Sequence, residues 1–289
     1  MAVTAAMVKE LRERTGLGIL DCKVALTEAD GDIELAIDGL RKRSALKAAK
    51  KAGRTTANGL LGVKVADDGS RGAMVEINIE TDFAAKNDKF IGFVATVLDA
   101  VYASDSADVE TVVTDEVESL REALVQEIGE NINVRRAAVI GDGDGFVTSY
   151  LHGDNRKAVL IELSGRNEKL GRDLAMHITA ISPMVVEASQ VPADLLTRER
   201  EIFMAQARDS GKPAEIIKKM VEGKMRKFLA EVSLVDQPFV KDGDTKVGKL
   251  LADAQLSCRG FVRFEVGEGI EVKELDFAAE VAAQVKGAQ

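Results

Sequence analysis

Apolar positions in the first fifty residues recur at helical spacing. Val8 and Leu11 share one face of a first helix, which Thr15-Gly16-Leu17-Gly18 breaks. A second helix begins near Ile19 or Asp21 and stops at Asp30-Gly31. Asp32 is a good N-cap for a third, whose stripe is Ile33, Ala36, Ile37 and Leu40. SALKAAKKA extends that helix to Gly53, where a Thr/Asn/Gly linker begins. The period then changes to two. Residues 61–65 and 73–79 alternate like strands around an Asp67-Asp68-Gly69-Ser70 turn. Phe90, Val94 and Val97 mark a helix, residues 115–128 a second, and residues 134–140 a third strand. Strands at 146–152 and 157–163 and a helix at 170–180 start the same order again. Over 192–234 two amphipathic helices meet at Ser210-Gly211-Lys212-Pro213, where Gly stops one and Pro213 suits the first turn of the next. Residues 259–266 give a last strand and 274–285 a last helix.

The recurrence is visible in the letters. GAMVEINIE, TDFAAK and NDKFIGFVATV stand against AVLIELSGR and NEKLGRDLAMHI. Glu76 aligns with Glu162, Asn87 with Asn167, Lys89 with Lys169, and upstream Asp68 with Asp154. Residues 81–86 have no counterpart in the second copy. Two copies of one fold need one scaffold, so a segment present in only one is not needed for it. That segment sets a carboxylate (Asp82) beside an aromatic (Phe83) at a strand-to-helix junction, where loops carry function.

The pattern predicts an α+β protein. Residues 1–54 form an N-terminal three-helix, ubiquitin-associated-like bundle. Residues 55–140 and 141–270 form two related three-stranded lobes, the second carrying an inserted helical hairpin at 192–234, and residues 271–289 a C-terminal helical module. A chain of 289 residues has room for such a set of cores. No apolar run approaches the roughly 20 residues of a membrane span, and MAVTAAMVKELRERTG has no signal-peptide core. Cys22 and Cys258, far apart in sequence, read as reduced cytosolic thiols.

Net charge of −9 argues against the whole chain coating nucleic acid. Yet residues 39–66 contain no acid and hold Arg41, Lys42, Arg43, Lys47, Lys50, Lys51, Arg54 and Lys64. This is either a solvated helix face or a docking strip for an acidic partner. Aromatics at 4% and no Trp argue against a base-stacking platform. There is no P-loop, no dinucleotide fingerprint, no zinc spacing and no nucleophile elbow. The Asp142-Gly143-Asp144-Gly145 run misplaces the Gly and Glu of an EF-hand and suits a turn. Neither a cofactor nor a bound metal is expected, and His177 reads as a core or boundary residue.

TGLGILDCKVALTEADGDIELAIDGLRK closely resembles the N-terminal module of the bacterial elongation factor Ts family. TDFAAKND is similar to that family's TDFVA(R/K)N signature, and VSLVDQPFVKD and RFEVGEGIEVKELDFAAEVAAQ are equally similar to its later segments. Ala84 departs from the family's bulkier Val or Leu and leaves the Asp-Phe pair intact. The resemblance implies a cytoplasmic guanine nucleotide exchange factor, not an enzyme, that binds GDP-bound and nucleotide-free elongation factor Tu and stays until GTP binds. It implies that Thr81, Asp82, Phe83, Ala84, Ala85, Lys86 and Asn87 disturb the partner's magnesium and phosphate site. It also implies that Ile19, Leu20, Asp21 and Lys23 touch the partner's nucleotide domain, that Lys51 pairs with an acidic helix there, and that His152 lies at a further contact.

Alternatives stand beside these expectations. Ile19 and Leu20 suit the bundle's core as well as a contact, Lys23 suits solvent, and Phe83 could fold back into its own lobe. The hairpin could serve partner binding, a homodimer or neither. An RNA-binding accessory protein using residues 41–54, or a hydrolase using Asp82 as base, are the competing functions; the resemblance favours exchange.

Overall fold

The computed structural model describes residues 2–271, apart from residues 142 and 210. The helix expected at 274–285 lies outside the described residues. The protein is α+β. Helices α1 (Ala5–Thr15), α2 (Ile19–Glu28) and α3 (Ile33–Lys51) come first. Gly16 ends α1 in the left-handed conformation, and Asp32 caps α3 by accepting from the Leu35 N–H. Leu11, Leu17, Cys22, Leu26, Ala36 and Leu40 close a small core between them.

Strands β1 (Asn58–Val65), β2 (Gly72–Ile79) and β3 (Ile132–Ile140) form one antiparallel sheet, in that order. Between β2 and β3 run α4 (Asp82–Ala85), α5 (Asp88–Ser104), α6 (Val109–Val112) and α7 (Asp115–Ile128). Strands β4 (Phe146–Leu151) and β5 (Lys157–Leu163) pair next. Helices α8 (Glu168–Ile181), α9 (Ala193–Arg208) and α10 (Ala214–Val232) follow, the last two packed as the helical hairpin around Ala207, Val221 and Met225. Pro213 immediately precedes α10 instead of lying in its first turn, and its fixed φ starts the helix from there. A short hairpin, β6 (Pro238–Phe239) and β7 (Asp242–Lys246), and α11 (Val247–Asp253) lead to β8 (Cys258–Glu265), which completes the sheet β4-β5-β8. The β6–β7 hairpin and α11 lie beyond the elements that the sequence pattern predicts: β7 reads DGDTK and is mostly exposed, so it carries no apolar alternation.

The two sheets pack face to face, with helices on their outer faces. Alternation along β2 sends Ala73, Val75, Ile77 and Ile79 towards Phe90, Val94, Val97 and Val101 of α5, and Met74 towards the other sheet. Along β5, Val159, Ile161 and Leu163 meet Leu174, Ala175 and Ile178 of α8, while Ala158 and Leu160 face back to Met74 and Leu61. Both central strands are covered on two sides, which is why all of β2 is buried. Each such Leu, Ile, Val or Phe contributes about 1.5–3 kcal/mol.

The duplication extends to fine structure. Asn87 and Asn167 both cap the helix after the central strand. Asp68 accepts from the Ser70 N–H and Asp154 from the Arg156 N–H, each closing a turn. The ladder slips after Glu76 in one sheet and after Glu162 in the other. At each bulge an arginine of the last strand, Arg135 or Arg259, reaches the aligned glutamate.

Candidate functional site

The inserted residues 81–86 leave the end of β2, whose last pair is Ile79 with Ile132. Thr81 caps the one-turn helix α4, its Oγ accepting the Ala84 N–H at 3.2 Å. Ala84 and Ala85 are buried in the core beneath α5. With that half pinned, the other half faces outward, and Phe83 is 81% exposed. It does not fold back into its own lobe. The Lys86 ammonium lies 5.6 Å from the centre of the Phe83 ring and 3.6 Å from the Asp82 carboxylate. All three are exposed, so these contacts hold the side chains weakly. An exposed Phe on a one-turn helix with a buried base is an apolar probe beside a carboxylate.

Asn87 starts α5, its Oδ1 accepting the Lys89 N–H at 2.9 Å. The Lys89 ammonium then reaches across to the bundle. It donates to the Gly16 carbonyl at 3.1 Å and to the Glu127 carboxylate of α7 at 2.5 and 2.6 Å. Gly16 stands in the turn that leads into α2, so this lysine ties the start of α2 to the base of the inserted segment. At that start, Ile19 is 56% and Leu20 79% exposed. Leu17 occupies the core place that either could have taken. Lys23 is exposed and Asp21 half-buried. An open cleft of about 490 Å³, lined by Val8, Lys9, Arg12, Ile19 and Lys23 among others, runs beside them.

Lys51, expected to pair with an acidic helix of a partner, is half-buried where α3 ends. Its ammonium donates to the Gly129 carbonyl at the end of α7, where the helix dipole favours a cation. The rest of the basic strip is partly engaged within the chain: Arg43 pairs with Glu28 at 3.2 Å, Arg54 with Glu80 at 3.5 Å and Lys64 with Asp99 at 2.6 Å. His152 is exposed in the β4–β5 turn, its Nδ1 3.4 Å from the Tyr150 hydroxyl. That turn adjoins the first sheet, since the Asn155 carbonyl accepts the Leu61 N–H at 2.8 Å. His152 is thus remote in the chain from the inserted segment, on the second sheet's hairpin.

Local pattern gave no reason to single out Glu130 and Glu80. Glu130 holds Thr81 at both the N–H and the hydroxyl, at 2.9 and 2.7 Å, and Glu80 accepts the Asn131 N–H at 2.6 Å. One signal was available: Glu80 falls on Arg166 when the copies are aligned, a charge inversion beside the insertion. Among the described residues, no group of three or more His, Cys, Asp or Glu is gathered as metal ligands. None of the described helices is long and apolar enough to cross a membrane. Burial pushes the Cys258 thiol up to about 12, which keeps it from acting as a nucleophile at neutral pH.

A sequence model of the family described as Elongation factor TS matches residues 80–268. An elongation factor Ts of Saccharophagus degradans is 57% identical over 285 residues, covering 99% of this chain and 98% of that protein. One from Hahella chejuensis is 56% identical over 286 residues, covering 99% of each. One from Thioalkalivibrio sulfidiphilus is 52% identical over 297 residues, covering the whole of both. The chain belongs to the elongation factor Ts family.

Proposed function

We propose that the protein is a guanine nucleotide exchange factor for elongation factor Tu, acting in translation elongation without covalent chemistry. It binds the GDP form, disturbs the magnesium and phosphate site, and stays on the nucleotide-free partner until GTP binds. The observation that carries this reading is Phe83, four-fifths exposed on a one-turn helix whose base is buried. Seating that ring in an apolar crevice of the partner contributes about 2 kcal/mol, while Asp82 beside it repels the phosphates and competes for the hydrogen bonds around the magnesium. Thr81, Ala84, Ala85, Lys86 and Asn87 shape and hold the probe.

Exchange requires that factor and nucleotide weaken each other reciprocally. Shifting a population from 1:99 to 99:1 takes about 5.5 kcal/mol of differential binding, more than one Phe supplies. Ile19 and Leu20, with Asp21 and Lys23 beside them, supply a second contact, and His152 marks a third on the other lobe. Release of a fluorescent GDP from purified elongation factor Tu tests the reading. Strong acceleration by this protein is expected; an unchanged release rate over a wide range of factor concentrations would sink it.

A further inference from the structure

We propose that Glu130 is a positioning residue for exchange: with Glu80 it clamps the root of the inserted segment and so aims Phe83. This rests on the exchange reading. The main-chain ladder between β2 and β3 ends at Ile79–Ile132. Beyond that pair, carboxylates replace the carbonyls. Glu80 Oε1 accepts the Asn131 N–H at 2.6 Å, and Glu130 Oε2 accepts the Thr81 N–H at 2.9 Å. Each of the two segments, after β2 and before β3, therefore uses a side chain to bind the other's backbone, in a reciprocal cross-strap. Glu130 Oε1 also accepts the Thr81 hydroxyl at 2.7 Å, which leaves that oxygen's lone pairs aimed at the Ala84 N–H that it caps at 3.2 Å. The chain of bonds runs from Glu130 through Thr81 to the first turn of α4, and Phe83 sits inside that turn. Hydrogen bonds to a charged acceptor are the stronger kind.

The second lobe carries the independent argument. The equivalent strand pairs Ile77–Val134 and Leu163–Cys258 set the two copies in register. In that register Glu80 falls on Arg166 and Glu130 on Ala254. Where the second copy lacks the insertion, it lacks both carboxylates. The Ser164 N–H donates to the Ser257 carbonyl at 2.9 Å, at the place of the Asn78–Asn133 pair of the first sheet and two residues short of Arg166. The cross-strap thus accompanies the insertion and not the scaffold.

The test measures fluorescent GDP release from elongation factor Tu as a function of factor concentration. Glu130→Gln turns one acceptor into a donor facing Thr81; Thr81→Val removes the hydroxyl and keeps the shape. Each is expected to lower the saturating release rate about tenfold, the size of one lost charge-assisted bond, with the half-saturating concentration unchanged. Thr81→Ser is expected to retain the wild-type rate. Adding Glu130→Gln to Phe83→Ala is expected to slow release no further, which a general folding defect would not reproduce. Amide hydrogen exchange at Thr81 and Ala84 is expected to quicken in Glu130→Gln while the β2 core stays protected. Wild-type release by Glu130→Gln, with Phe83→Ala impaired, overturns the clamp and leaves the exchange reading intact; so does an equal further loss in the double variant. No acceleration by the wild-type protein removes the exchange reading and this inference together, and the amide data then report only whether the strap holds the segment.

Discussion

Glu76 shows how one residue can be legible in position and illegible in role. The repeat marks it by alignment with Glu162, but nothing in sequence reveals that it is wholly buried. Burial is the largest influence on its carboxyl and opposes ionisation. Hydrogen bonds from the Gly267 N–H, Asn78, Arg135 and Arg136 outweigh that and hold it below the usual carboxylate range. A carboxylate depressed in the folded chain contributes stability that is full above its unfolded value and is lost as pH falls through the folded one. Urea midpoints are therefore expected to decline as pH falls below about 4.3, and Glu76→Gln to show a shallower decline. The same variant is expected to lose about 3 kcal/mol at neutral pH, because both arginines lose their buried partner. An acid profile parallel to wild type would contradict this role. His177, read from sequence as a core or boundary residue, is wholly buried. Its Nδ1 accepts the Val240 N–H at 3.1 Å, so Nε2 carries the proton and faces Gln237 Oε1 at 2.8 Å.

At the scale of elements, period and caps carried most of the information. Asn87 and Asn167 were visible as aligned residues, and both prove to be caps. Residues 115–128 were bounded as found, because Thr114 caps α7 and Gly129 ends it. The exposure of Phe83 was not legible from periodicity, since one turn of helix is too short to show a stripe; the missing counterpart in the second copy was the signal. Glu130 lay beyond pattern altogether, because its bonds to Thr81 span 49 residues. The segment between β3 and β4 is Gly-rich, and the structure gives a reason at Gly141. Its φ is +99°, and a Cβ there would stand 2.4 Å from the Ser70 carbonyl oxygen. Gly141→Ala is expected to cost more than about 1 kcal/mol, seen as a lower melting temperature. An unchanged melting temperature would mean that the two turns do not press on each other in solution.

At the scale of the molecule, exchange by this protein requires two exposed apolar groups to be presented together. Lys89 links the turn before Ile19 and Leu20 to the helix that follows Phe83. Its ion pair with Glu127 is half-exposed and contributes little to stability. Lys89→Met is therefore expected to leave the melting temperature nearly unchanged while raising the factor concentration that half-saturates GDP release severalfold. A large fall in melting temperature with unaltered half-saturation would place the residue in folding alone. In the proposed exchange, the inserted segment acts on the nucleotide while the wider surface supplies the grip. The most direct test is the GDP release rate from elongation factor Tu at saturating factor, for wild type and for the Asp82→Ala, Phe83→Ala variant. The variant is expected to bind still but to have lost most of the acceleration; equal rates for the two proteins would contradict a role of the inserted segment at the nucleotide.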